Sequence, residues 1–122
     1  RQHSHPKIEY QNASVLDVDY GEGVYDVISI RGAIEHFLQD KQQLIFQKSL
    51  RALKPGGWFV GDTPANPMAD VDPNSKGLPS HEYEWRDEAH MRSELERTFS
   101  HVETSTLTSP DRVTLYWKCQ KR

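Results

Sequence analysis

The side chains able to move a proton near neutral pH include six histidines, His36 beside Glu35 among them. An imidazole with an unperturbed pKa of about 6.5 is suited to deprotonating a hydroxyl nucleophile, and His36 follows Glu35 directly after an apolar run. Two other groupings have the composition of a cation site without its spacing. Asp70-Val71-Asp72-Pro73-Asn74 begins like a calcium loop, but its sixth position is Ser75 where glycine is needed and its twelfth is His81 where glutamate belongs. His3 and His5 have no partner cluster at metal spacing and read as a solvated tail, so no metal is expected. Cys119 is the single cysteine, which excludes an internal disulfide and makes a reduced compartment the default. It reads as small apolar filler in a strand.

The remaining composition narrows the class further. Fifteen basic against eighteen acidic residues leave a net charge of −3, which provides no footprint for nucleic acid or an anionic membrane. No apolar stretch approaches the roughly 20 residues of a membrane span, and no signal-peptide pattern opens the chain. A cytoplasmic protein is expected. Its 122 residues suit one domain, 1–122, with a modest core. Arg1 suggests a chain that begins inside a longer reading frame or has been processed.

The elements that must position these residues follow from periodicity. Val24 to Ile30 is a nearly continuous β-branched run, which predicts a strand over residues 25–30, buried on both faces of a parallel sheet. Asp40 with Gln43 makes a capping-box variant, and Ile45, Phe46, Ser49, Leu50 and Leu53 share one face, predicting a helix over 41–54. Pro55-Gly56-Gly57 stops it, and Trp58-Phe59-Val60 starts a second buried strand, giving a right-handed parallel crossover. Residues 64–83 lack periodicity and form a long loop or lid. Asp87 caps a helix with Met91, Leu95 and Phe99 as a core stripe. Residues 101–107 and 113–119 flank Ser109-Pro110-Asp111 as an antiparallel hairpin, with Val113, Leu115, Trp117 and Cys119 on one face.

Three segments in this order resemble the class I S-adenosylmethionine-dependent methyltransferases, in particular the bacterial group acting on small molecules, quinone precursors and glycans. They are Tyr25-Asp26-Val27-Ile28-Ser29-Ile30-Arg31-Gly32-Ala33-Ile34-Glu35-His36-Phe37, then Leu50-Arg51-Ala52-Leu53-Lys54-Pro55-Gly56-Gly57-Trp58-Phe59-Val60, then Pro79-Ser80-His81-Glu82-Tyr83-Glu84-Trp85 before a helix and hairpin. The resemblance covers Ile8 to the C-terminus. It implies an α/β fold, a partial Rossmann-like methyltransferase sheet with strands 3, 4 and 5 parallel, a C-terminal antiparallel hairpin and flanking helices. It also implies S-adenosylmethionine as cofactor, lying across the carboxyl ends of the parallel strands. Ile30, Arg31 and Gly32 then face its methionine end. Ser14, Val15 and Asp17 face its adenine, with Ser14 where the family carries an aspartate. His36 becomes the catalytic base, and His81 and Glu84 line the substrate mouth.

The family's glycine-rich loop after strand 1 and the acidic residue after strand 2 have no counterpart in the sequence, which is similar to the family only from just before strand 3 onward. Two functions are therefore expected to compete. In one, the chain is part of a longer methyltransferase acting on a small molecule or glycan. In the other, it is a truncated, cofactor-free relative that dimerises or binds a partner. Strands 1 and 2 normally lie between strands 3 and 4, so strand 4 is left as an exposed edge. Residues from Ile8 to Tyr10 docking there, or a homodimer pairing through it, would satisfy that ladder.

Overall fold

The computed structural model describes residues 7–8, 14–68 and 81–122. They form a five-stranded mixed sheet ordered β1-β2-β3-β5-β4, from β1 (Lys7–Ile8), β2 (Tyr25–Arg31), β3 (Leu53–Pro64), β4 (His101–Thr108) and β5 (Val113–Gln120). Helix α1 is Ser14–Asp17, α2 is Gln39–Ala52, α3 is Glu88–Glu96, and a 3₁₀ turn occupies Ile34–His36. β1, β2 and β3 are parallel, and β5 is antiparallel to both β3 and β4. This is the expected α/β sheet with its closing hairpin.

Side-chain alternation divides the sheet into two unlike faces. Ile28 and Ile30 of β2 point to the side carrying α2 and α3, where Phe46, Phe59, Met91, Leu95, Leu115, Trp117 and Cys119 complete the core. Val27 and Ser29 point the other way and are only half-buried, so the strand is not buried on both faces as its β-branched run suggests. The described helices α2 and α3 share one face, and neither covers the opposite one; Gln43 on α2 bonds the Glu94 carboxylate and carbonyl on α3. Gly61 lets that core close. A methyl group there would meet the Ile30 carbonyl and the Trp117 ring at 2.2 Å each.

The capping of α2 differs from expectation. The helix begins after Leu38, which supplies no side-chain cap, and Asp40 lies inside the first turn, where its charge faces the positive helix end. It ends at Ala52, ahead of the Pro-Gly-Gly turn, with Leu53 already extended. Pro55 disfavours helical backbone at Lys54, so the chain leaves the helix before the proline. Leu53 pairs with Tyr25 and Trp58 with Val27, so Lys54, Pro55, Gly56 and Gly57 bulge out opposite Asp26 alone. Gly56 takes a φ of 85° there. The expected Asp87 cap is present: its Oδ1 accepts from the His90 amide at 2.9 Å.

The β2 edge is not bare. Lys7 pairs with Val27 and Ile8 with Ile28, in parallel register. Of the outcomes expected for this edge, this is docking of the N-terminal segment, here through Lys7 and Ile8, and the physical reason is the one that made bareness costly: unpaired ladder groups shielded from water cost about 1–3 kcal/mol each, and the nearest extended segment satisfies them.

Candidate functional site

The site lies where β2 and β3 end. Gly32, at φ 57°, breaks β2, and the chain turns through Ala33 into the 3₁₀ turn, whose His36 amide bonds Ala33 O. The turn buries Ile34 in the core, which leaves Glu35 facing the end of β3 and His36 at the surface. Residues 81–85 lie over the turn, because the Glu82 amide donates to Glu35 O at 2.8 Å and the Gln42 side-chain amide lies within 3.1 Å of Ile34 O, Phe37 O and Tyr83 O. Ala65 bridges Trp85, and the Asn66 amide bonds Trp85 O. Both ends of the expected lid are therefore pinned; residues 69–80 between them, with Asp70, Asp72 and Asn74, lie outside the described residues, as do His3 and His5.

These contacts assemble a chain of ionisable groups that the one-dimensional pattern leaves scattered. Asn66 Nδ2 donates to Glu84 Oε1 at 2.8 Å, and Glu84 Oε2 is 2.5 Å from His81 Nδ1. His81 Nε2 is 3.9 Å from Glu35 Oε2, which is 3.6 Å from His36 Nε2. Thr63 Oγ1 donates to Glu35 Oε1 at 2.7 Å. The His36 and His81 rings meet edge to face, 4.9 Å between centroids. Glu35, His81 and Glu84 are buried, whereas the His36 side chain is 39 % exposed. His36, His81 and Glu84, three residues expected at the site from sequence, are thus brought together. Glu35, Thr63 and Asn66 were missed, although Glu35 adjoins His36 and the acid–histidine pair is visible in the sequence.

The cofactor-side residues arrange differently. Gly32 N donates to Asp62 Oδ1 at 2.9 Å and Asp62 O at 3.1 Å, and Arg31 Nε donates to Asp62 Oδ2 at 3.1 Å. Ile30 is buried in the core. Asp17 is exposed, and its neighbour Leu16 is held through its carbonyl by Lys48 Nζ, in the second half of α2. Ser14 and Val15 lie in the same short helix, α1. A cavity of about 350 Å³ opens beside that turn, lined by Arg31, Gly32, Asp62, Thr63, Arg112 and Tyr116 among others.

A parallel crossover with an antiparallel closing hairpin and a polar cluster at the strand ends is the frame of a class I methyltransferase. A family model described as a methyltransferase domain matches residues 1–61, half of the chain, and the chain belongs to this family. Among solved structures, phosphoethanolamine N-methyltransferase 2 of Haemonchus contortus, in complex with phosphomonomethylethanolamine and S-adenosylhomocysteine, is 12 % identical with a TM-score of 0.67; the match covers 88 % of this chain and 36 % of that one. The 1,6-didemethyltoxoflavin-N1-methyltransferase of Burkholderia thailandensis, with 1,6-didemethyltoxoflavin and S-adenosylhomocysteine bound, is 18 % identical with a TM-score of 0.65, covering 88 % and 48 %. At these identities the likeness is one of fold, and the chain spans less than half of either protein. No curated protein matches the sequence.

S-adenosylmethionine is the cofactor of the family. At the turn after β2, the Gly32 amide and Arg31 Nε are engaged by Asp62. Among the described residues, no helix is long and apolar enough to cross a membrane.

Proposed function

We propose that this chain is the substrate-side portion of an S-adenosylmethionine-dependent methyltransferase that acts on a small molecule or glycan as part of a longer enzyme. The reading is supported above all by the Glu84–His81–Glu35 chain reaching His36 at the carboxyl end of β2. Methyl transfer asks the protein mainly to align nucleophile, methyl group and sulfur, because the sulfonium is already activated. His36, the most exposed of the four, meets the acceptor and takes its proton, while Glu35 and His81 hold the imidazole in place. His81 and Glu84 form the wall of the acceptor site. Transfer of a labelled methyl group by the product of the whole coding sequence tests this. His36→Ala is expected to lower kcat by about 100-fold, and unchanged turnover would remove His36 from the reaction.

The second reading, a cofactor-free binding module, is favoured by the internal engagement of Arg31 and Gly32. Under both readings the 122-residue chain binds S-adenosylmethionine weakly or not at all. Calorimetry giving a Kd of about 10 µM or tighter would place the cofactor on residues other than those named here. A homodimer through β2 would have to displace or exchange β1. Light scattering over a concentration series, with Val27→Pro as the variant that cannot donate to the ladder, decides whether copies associate there; a monomer at every concentration removes the dimer.

A further inference from the structure

We propose that Glu35, His36 and His81 form a binding site for a divalent transition-metal ion of the zinc class. One ligand atom from each of the three lies within 4.8 Å of the other two. Glu35 Oε2 is 3.6 Å from His36 Nε2 and 3.9 Å from His81 Nε2. Bonds of about 2.0–2.2 Å to a shared tetrahedral ion separate its donors by about 3.4 Å. The two distances to Glu35 exceed that by a few tenths of an ångström, and the two imidazoles, within 4.8 Å of each other, must close by up to about 1.4 Å, which rotation of the exposed His36 ring supplies.

The groups behind the ligands carry the argument further than proximity does. A metal-bound histidine needs one nitrogen bare toward the ion and a partner that holds the proton on the other. Glu84 Oε2 at His81 Nδ1 is such a partner, leaving Nε2 to face Glu35 and His36. Glu84 is itself held by Asn66. Thr63 occupies Glu35 Oε1 and leaves Oε2 on the ligand side. Two imidazoles and one carboxylate also decide which ion fits: mixed nitrogen and oxygen donors suit zinc, cobalt or manganese, whereas calcium and magnesium prefer oxygen alone. With three protein ligands and a partly exposed His36, the remaining coordination position opens to water or to an oxygen or nitrogen of a bound molecule. The three residues come from segments that only the fold brings together, which is why spacing along the chain predicted no metal.

The inference does not depend on the methyl-transfer reading, because the ion is titrated without cofactor or acceptor, and an imidazole bound to the ion takes no proton, so the two roles of His36 are alternatives. The 122-residue chain, stripped with a chelator, is titrated with Zn²⁺ and with Co²⁺. One equivalent of each is expected, with Co²⁺ giving the visible absorption of a four-coordinate nitrogen–oxygen site and Zn²⁺ raising the melting temperature. His36→Ala and His81→Ala should abolish the absorption band. Glu84→Gln should weaken binding by about 10-fold, and His101→Ala, on the open face, should change nothing. His36 is exposed, so its variant keeps the fold, as circular dichroism verifies. Absence of stoichiometric binding overturns the proposal. So does binding that survives in His36→Ala and His81→Ala, which would put the ion on other histidines such as His3 and His5.

Discussion

The two faces of the sheet are built from the same strands and behave as different materials. On the covered face Ile28 and Ile30, then Phe59, then Cys119, Trp117 and Leu115 run across three strands beneath α2 and α3, and each is at most 3 % exposed. On the open face the rows read Val27, Trp58, Gln120, then Ser29, Val60, Lys118, Glu103, then Arg31, Asp62, Tyr116, Ser105. There, Lys118 sits over the Trp58 ring at 4.4 Å, and Arg31 pairs with Asp62. A cavity of about 530 Å³ lies on that face, lined by Ser29, Val60, Asp62, Glu103, Tyr116 and Lys118 among others. One face is held by packing and the other by long, amphipathic side chains that cover apolar surface while keeping their charges wet. Stability should therefore reside on one side.

Substitutions that ignore this difference test it, and the largest effect is expected at Phe46. That ring is fully buried against Phe59 and Trp85. Phe46→Ala should cost about 3–5 kcal/mol, measured by urea unfolding. A cost below about 1 kcal/mol would mean that the helices do not carry the stability. Gly61→Ala comes next, because the added methyl has no room between the Ile30 carbonyl and the Trp117 ring; about 3 kcal/mol is expected. On the open face, Lys118→Ala should cost less than about 1 kcal/mol. A larger loss there would erase the distinction between the faces.

A pH test reads the polar layer under the helices. His90 Nδ1 accepts from the Arg86 amide and its Nε2 meets the Tyr83 hydroxyl, so the ring is held neutral. Burial first, then the Arg86 charge, lowers its pKa from 6.5, against opposing pulls from Glu94 and Asp87. Between the depressed folded value and 6.5 the unfolded chain binds more protons. The contribution of neutral His90 is therefore complete above pH 6.5 and is lost as pH falls below it. Melting temperature should drop between pH 7.5 and 5.5, and drop less in His90→Gln; an equal drop in both would assign the loss to other groups. Tyr83 in the same network is pushed up to about 12 by burial and by Glu94, so it stays a neutral donor throughout.

The parallel crossover and the closing hairpin were legible because each follows from local patterns: a β-branched run, a 3.6-residue stripe over Ile45, Phe46 and Ser49, and alternation from Val113 to Cys119. The Cys119 thiol, pushed up to about 12 by burial, is the inert filler its context implied. Of the site, His36, His81 and Glu84 were legible through resemblance, whereas Thr63 and Asn66 were not, since neither residue type carries a chemical signature outside its contacts.

By itself the sequence determined which segments become strands and helices, because propensity and period are local properties, and its three ordered segments carry the resemblance to the family. Tertiary structure alone decided which sheet face is closed, which of the expected outcomes at the β2 edge holds, and that Asp62 answers Arg31 and Gly32. It also decided that Glu35, far outside the reach of any helical spacing rule from His81, shares a buried cluster with it. Such outcomes depend on competition among distant partners for the same hydrogen bonds and the same apolar area, and no local pattern records who wins.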